Sequence, residues 1–101
     1  MNGIFFFDPA DKIYADHFPG NPVVPGSLIV SAFIKAGEKI GFPTKRLIVK
    51  NFRFKKFIPP GEYRFSIKYL QNRLNDKVVC KMECNLYYKN KAVVTGIFLR
   101  Q

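Results

Sequence analysis

The 101-residue chain is basic and aromatic: 17 Lys and Arg against 7 Asp and Glu give a formal net charge of +10, and 11 residues are Phe. With 48% hydrophobic residues, this composition excludes a disordered chain and predicts one globular domain over residues 1–101, of a size that benefits from a second subunit. The charge attracts acidic partners, but it does not choose among nucleic acid, anionic lipid and an acidic carrier protein.

The N-terminal third begins with a predicted strand and continues into a stiff loop. Gly3 to Phe7 form a short apolar run that Asp8-Pro9 ends, which predicts a strand closed by a turn. The segment from Asp16 to Gly26 has three Pro and two Gly in eleven residues, and Asp16 is interpreted as the end of a strand. Because Pro fixes its own φ and restricts the residue before it, this loop has few accessible shapes and suits a reactive side chain.

A helix is predicted from Ser27 to Ile40. Its first two turns carry apolar residues on nearly every side, which is typical of a buried helix. Gly41 followed by Pro43 supplies the expected stop.

The rest of the chain alternates between apolar and polar residues with the period of a β-strand. Three predicted strands carry apolar residues at alternate positions: Phe52 and Phe54; Tyr63, Phe65, Ile67 and Tyr69; and Val78, Cys80, Met82, Cys84 and Leu86. A last strand is predicted from Ala92 to Leu99. One buried helix followed by about four antiparallel strands predicts an α+β fold, with the sheet folded against the helix.

Cysteine, histidine and hydropathy patterns exclude several classes of protein. Cys80 and Cys84 fall on one strand face, too far apart for an unstrained disulfide, so we expect packed thiols. One His and two Cys cannot build a zinc finger or ribbon, and we expect neither metal nor cofactor.

The longest apolar stretch, Val23 to Ile34, is shorter than the roughly 20 residues of a membrane span. We expect no signal peptide, no membrane span and a cytoplasmic protein.

Two segments resemble a known family. The run His17-Phe18-Pro19-Gly20-x-Pro22-Val23-x-Pro25-Gly26-x-Leu28-Ile29 is similar to the signature of the hot-dog β-hydroxyacyl-carrier-protein dehydratases, the short FabZ/FabA-like type. The run from Phe52 to Gly61 is similar to the family's strand that ends in a Pro-Gly turn. The resemblance covers roughly residues 14–100, and the N-terminal part of full-length members is shortened here to about one strand.

The resemblance implies a hot-dog fold, a curved antiparallel sheet wrapped around one central helix. It also implies a homodimer, or a higher even oligomer, with the two sheets joined edge to edge. His17 would be the base at the carbon next to the thioester carbonyl, and the backbone N–H groups of Gly26 and Ser27 would hold the thioester oxygen. Phe18, Gly20 and Pro25 would complete the substrate-binding loop.

The sequence departs from the family at the catalytic acid. The family's Glu or Asp falls fourteen residues after the His, and that position here is Ser31. Ser31 could orient a water, but a serine cannot donate a proton at neutral pH as a carboxylic acid does. Glu38 lies two turns, about 10 Å, further along the helix, and we do not expect it to substitute.

Three functions follow as hypotheses. The first is a (3R)-hydroxyacyl-acyl-carrier-protein dehydratase of fatty-acid or related synthesis, acting on acyl-carrier-protein or coenzyme A thioesters. The second is a binding subunit that has lost chemistry and forms a heterodimer with an active relative that supplies a carboxylate. The third is a nucleic-acid module, which is weakened because the aromatic residues alternate onto the predicted buried face. An acidic carrier protein or a phosphopantetheine phosphate would dock on the basic strand faces: Lys45, Arg46, Lys50, Arg53, Lys55, Lys56, Arg64 and Lys68.

Overall fold

The structure is a computed structural model that describes residues 1–16 and 20–100. Within these ranges the chain forms, in order, β1 (Asn2–Phe7), α1 (Ile13–Asp16), α2 (Gly26–Lys39), β2 (Ile48–Phe54), β3 (Gly61–Leu74), β4 (Lys77–Tyr88) and β5 (Lys91–Arg100). The strands make one antiparallel sheet in the order β1-β3-β4-β5-β2. The predicted α+β layout is confirmed.

Two tight turns connect the three central strands. Asn75 and Asp76 join β3 to β4 with φ of 51° and 63°, and Lys89 and Asn90 join β4 to β5 with φ of 50° and 66°. Two successive positive φ values are typical of the hairpin turn whose twist matches that of the strands it joins. In β2, which pairs with β5, the register shifts between Lys50 and Arg53, and Asn51 between them has φ 56°.

Phe33 of α2 is the centre of the core. It is fully buried, and its ring lies 5.0 Å from the ring of Phe5, 5.9 Å from that of Phe65 and 6.3 Å from that of Phe52. The alternation predicted for β3 and for most of β4 is confirmed, because Tyr63, Phe65, Ile67, Cys80, Met82, Cys84 and Leu86 are buried. It fails at two strand ends, where Phe54 and Val78 are exposed. Arg64 and Lys68, between these positions on β3, are exposed.

The helices differ from the prediction in two ways. Asp16 ends the short helix α1, not a strand. The expectation that α2 is buried all round is wrong for the single chain, because a sheet covers only one stripe of a helix: Ile29, Phe33, Ala36 and Gly37 are buried, while the apolar residues on the other sides are half-buried.

The end of α2 agrees with the prediction. Gly41, with φ 86°, follows the C-cap Ile40. The N–H of Gly41 donates to the carbonyl of Glu38 at 3.1 Å, and that of Phe42 donates to the carbonyl of Gly37 at 2.9 Å. This pair of bonds is the Schellman motif, in which a left-handed residue terminates the helix.

No helix in the described residues has the length and apolar character needed to cross a bilayer.

The cysteines are free and buried, as predicted. Burial raises the pKa of Cys84 to about 12, because the thiolate would lose its hydration among core side chains. The thiol of Cys84 is therefore a packing group at neutral pH.

Candidate functional site

The first turn of α2 presents backbone donors without a side-chain cap. The N-cap residue Pro25 is extended, with φ −61° and ψ 142°, and no side chain of the described residues makes a capping hydrogen bond at this end of the helix. The N–H groups of Leu28 and Ile29 both donate to the Pro25 carbonyl, at 3.0 and 3.3 Å. The N–H groups of Gly26 and Ser27 lie before the first intrahelical bond, at the positive end of the helix dipole, where developing negative charge is stabilised. Ser27 is exposed, so a ligand can reach this end.

An aromatic side chain lies against these donors. A Cβ placed on Gly26 would be 3.1 Å from a carbon of the Phe54 ring, so the ring approaches the helix closely because residue 26 has no side chain. Phe54 is 43% exposed, and part of its ring faces the surroundings. The start of α2 therefore combines hydrogen-bond donors with an apolar wall.

The two sequence segments that carry the resemblance meet at this site. The N–H of Val24, on the way into α2, donates to the carbonyl of Ile58 at 2.9 Å, and both side chains are buried. The Tyr63 hydroxyl donates to the Pro59 carbonyl one residue further on. The chain entering α2 is thus held to the turn that follows β2, although 34 positions separate Val24 from Ile58 in sequence.

Ser31 lies one turn after Ser27 and opens onto a cleft of about 250 Å³. The cleft is lined by Phe6, Phe7, Asp8, Asp11, Tyr14, Leu28, Ser31, Ala32 and Lys35. Glu38 is not among them; its carboxylate accepts a hydrogen bond from the Thr44 hydroxyl at 3.3 Å. The polar surroundings of Ser31 therefore come from the segment between β1 and α1, from Tyr14 of α1, and from Lys35, one turn further along α2.

Sequence reasoning missed three of these residues: Asp8, Asp11 and Tyr14. Side-chain oxygens of the two aspartates accept backbone N–H groups, Asp8 from Ala10 at 2.9 Å and Asp11 from Ile13 at 3.1 Å. Tyr14 is 7% exposed. Burial raises the pKa of its hydroxyl, and the carboxylates of Asp11 and Asp8 raise that pKa further. The sequence did signal a turn, at Asp8-Pro9 and at Asp11 before Ile13 and Tyr14. No local pattern, however, places this turn beside Ser31.

The predicted site residues divide into three groups. Pro25, Gly26 and Ser27 are together at the start of α2, with Ser31 on the next turn. Gly20 is exposed and has φ 86°, a conformation that favours glycine. His17 and Phe18 lie outside the described residues.

The family follows from a comparison with known proteins. The model of the ApeI-like family, described as ApeI dehydratase, matches residues 2–96. The chain belongs to the ApeI-like dehydratase family.

Curated relatives of this ApeI-like chain include proteins named 3-hydroxyacyl-[acyl-carrier-protein] dehydratase FabZ. The one from Lactiplantibacillus plantarum is 31% identical over 94 residues, which are 84% of this chain and 62% of that protein. The one from Anaplasma phagocytophilum is 28% identical over 100 residues, 88% of this chain and 68% of that protein. The chain thus spans less than two thirds of the first of these relatives.

Solved structures confirm the predicted hot-dog fold. A chain of the dehydratase heterocomplex ApeI:P from Xenorhabdus doucetiae superimposes with a TM-score of 0.60 at 16% identity, covering 99% of this chain and 86% of that one. The fluoroacetyl-CoA-specific thioesterase FlK superimposes with a TM-score of 0.58 at 13% identity, and the match covers 98% of this chain and 85% of that one. At these identities the likeness concerns the fold alone.

Proposed function

We propose that this ApeI-like chain binds acyl thioesters in the cytoplasm and dehydrates (3R)-hydroxyacyl groups carried on acyl-carrier protein or coenzyme A. The observation that carries the proposal is the uncapped start of α2, where Gly26 and Ser27 offer backbone donors beside the Phe54 ring. A thioester carbonyl needs such donors as negative charge develops on its oxygen, and each is typically worth ~10²–10³ in rate.

In this proposal His17 removes the proton next to the thioester carbonyl, and the hydroxyl on the following carbon leaves as water. Pro25 sets the direction of the chain into α2, and the bond from Val24 to Ile58 fixes it. Gly20 and Phe18 complete the loop around the acyl group. A base held in this way typically contributes ~10²–10⁴-fold.

A homodimer of single-domain chains is part of the proposal. The helix α2 keeps the half-buried apolar residues Leu28, Val30 and Ile34, and the edge strand β2 exposes half of Val49. Burying this surface against a second subunit would stabilise the fold by about 25 cal/mol per Å² of apolar area.

The carrier protein is proposed to dock on basic residues. All eight predicted docking residues are exposed, and two of them, Lys55 and Lys56, directly follow Phe54 in sequence. An acidic carrier protein would be attracted by this charge and would bring its phosphopantetheine phosphate toward the site.

The test is turnover of a 3-hydroxyacyl thioester, loaded on acyl-carrier protein and on coenzyme A, by the wild type and by His17→Asn. We expect His17→Asn to lower kcat by at least ~10²-fold, because the asparagine side chain is similar in size but is not a base. The exposed Lys77→Gln, outside the proposed docking residues, is the control and should keep wild-type turnover. Equal turnover by His17→Asn would contradict the proposed role of this residue, and a wild type that neither turns over nor binds any thioester would refute the function.

A second candidate function is a subunit of a heterodimer that receives a carboxylate from an active relative. The serine at position 31 favours it, as does the likeness to a chain of a dehydratase heterocomplex. Turnover only after mixing with such a relative would support this candidate, and turnover by the purified chain alone would exclude it as the sole explanation.

A further inference from the structure

Strand β1 is an edge of the sheet, because β3 is the one strand beside it among the residues that the structure describes. Met1, just before β1, exchanges two backbone bonds with Ile67: the N–H of each donates to the carbonyl of the other at 2.7 Å. In an antiparallel ladder, such hydrogen-bonded pairs alternate with pairs whose N–H and C=O groups point away from the partner strand. The register of β1 with β3 has no shift, so the backbone groups of Asn2, Ile4 and Phe6 point out of the sheet edge.

The side chains at this edge form an apolar patch on the outer face of the sheet. Phe5 and Phe7 pack inward: the ring of Phe5 lies 5.0 Å from that of Phe33, and Phe7 is buried. Because side chains alternate along a strand, Ile4 and Phe6 point to the opposite face, where they are 63% and 62% exposed. Two large apolar side chains exposed beside unpaired backbone groups indicate a contact with another molecule.

The edge lacks the features that prevent strand pairing in other proteins. Natural edge strands are commonly interrupted by a proline, a β-bulge or a charged side chain. Asn2–Phe7 contains neither a proline nor a charged residue, and its pairing with β3 is regular. In a chain with a net charge of +10, this uncharged strand is a place where two copies can meet without directly opposing like charges.

The charges beside the patch are of both signs. On β3, Arg64 lies opposite Ile4 and Glu62 lies opposite Phe6, and both charged residues are exposed. A two-fold axis that pairs β1 with β1 of a second copy brings the Arg64 end of each patch to the Glu62 end of the other. Opposite charges then flank an apolar centre, as in specific protein interfaces. This edge is therefore complementary to itself.

We propose that β1 pairs antiparallel with β1 of a second copy of this chain, with Ile4 of each copy opposite Phe6 of the other. The hydrogen-bonded pairs of the new ladder must join residues whose backbone groups point outward, so the possible registers differ by two residues. This register places an aromatic residue opposite a β-branched one, a pair that stabilises sheets. A shift of two residues places Phe6 opposite Asn2, or Ile4 opposite Asp8, and loses this match.

The β1 contact is separate from the surface proposed for the homodimer. β1 and β2 are the two ends of the strand order, so pairing through β1 leaves β2 free. Dimers joined through β1 would form an assembly with an even number of chains, larger than two. The pairing is independent of thioester turnover, so a chain without dehydratase activity would still form it.

Cysteine cross-linking tests the register. Hydrogen-bonded residues on paired antiparallel strands have Cα atoms about 5.5 Å apart, a distance that a disulfide spans, whereas diagonal neighbours about 7–8 Å apart lie beyond its range. After mild oxidation, a mixture of Ile4→Cys and Phe6→Cys should contain at least about tenfold more disulfide-linked dimer than either variant alone. Intact mass identifies the mixed dimer. Cys80 and Cys84 are buried and should not compete.

Sedimentation velocity of the full chain, between ~1 and ~500 µM, tests the association itself. Phe6→Lys places an ammonium opposite Ile4 of the other copy, twice in each pair, and should weaken the β1 contact at least about tenfold. Val78→Lys is the matched control. Val78 is also an exposed apolar strand residue, at 47%, but it lies near the start of β4 and pairs with Arg73, away from β1. Val78→Lys should associate as the wild type does, and thermal melts check that each variant is folded.

The mixed disulfide, together with weaker association of Phe6→Lys, would establish the pairing. Efficient cross-linking of Ile4→Cys to itself would overturn the register. Absence of any cross-link, with Phe6→Lys sedimenting as the wild type does, would overturn pairing with a second copy and leave the edge to a different partner. A wild type that stays monomeric at every concentration would overturn it as well.

Discussion

The substitution Gly96→Ala tests how closely the aromatic side chains pack against the sheet. Gly96 lies on β5 opposite Cys84 of β4, on the face that packs inward. A Cβ at position 96 would lie 2.3 Å from one carbon of the Phe52 ring and 2.4 Å from two others. The Phe52 ring is itself 5.0 Å from the ring of Phe98 and 6.2 Å from that of Phe54, so it cannot turn away freely.

The expected cost follows from these distances. Carbon atoms in contact are about 3.5–4.0 Å apart, so the Phe52 ring must move by about 1.2 Å or more. Such overpacking costs about 1–3 kcal/mol, while alanine recovers roughly 0.5–1 kcal/mol of the conformational entropy that glycine loses in a strand. We expect Gly96→Ala to lower the free energy of unfolding by ~1–2 kcal/mol, or the melting temperature by ~5–15 °C.

Gly37→Ala is the matched control for this experiment. A Cβ at position 37 would lie 2.8 Å from the Met82 sulfur, but a thioether side chain adapts its shape more readily than an aromatic ring. Alanine also gains about 1 kcal/mol over glycine inside a helix, so Gly37→Ala should be close to neutral. Urea unfolding at one fixed protein concentration measures both, because dimerisation would make stability depend on concentration. The reasoning would be refuted by a Gly96→Ala protein as stable as the wild type. It would also be refuted if Gly37→Ala lowered the free energy of unfolding more than Gly96→Ala does.

Two further predictions concern charge. Burial raises the pKa of Cys84 to about 12, whereas an unfolded cysteine titrates near about 8.5. The stability that comes from keeping this thiol neutral is therefore complete below about pH 8.5 and declines above it. Near pH 9.5 the free energy of unfolding should be lower by ~1 kcal/mol. Urea unfolding at about pH 8.5 and about pH 9.5 measures this loss of stability, and Cys84→Ala should make it smaller. An equal loss in the variant would show that Cys84 is not its cause. If the exposed basic residues dock a carrier protein, the KM for an acyl-carrier-protein substrate should rise about tenfold with salt between ~50 and ~500 mM, because screening removes long-range attraction. The KM for the same acyl group on an uncharged thioester should stay constant, and a parallel rise for both substrates would argue against docking by charge.

Local pattern was sufficient for most of the secondary structure. Alternation along β3 assigned Tyr63, Phe65 and Ile67 to the core, since successive side chains of a strand point to opposite faces. Gly41 fixed the end of α2 because the left-handed conformation there favours a residue without a side chain. The short helix α1 escaped prediction because a single turn of helix has no apolar period of its own.

The arrangement of the site depended on contacts between distant segments. The sequence by itself determined the resemblance to the hot-dog dehydratases and the residues at the start of α2, because the run that carries this resemblance is a continuous local segment. Only the tertiary structure placed Phe54 over Gly26, joined Val24 to Ile58, and brought Asp8, Asp11 and Tyr14 to the cleft at Ser31. Hydrophobic periodicity specifies which side of an element is buried, but the strand order β1-β3-β4-β5-β2 decides which elements meet.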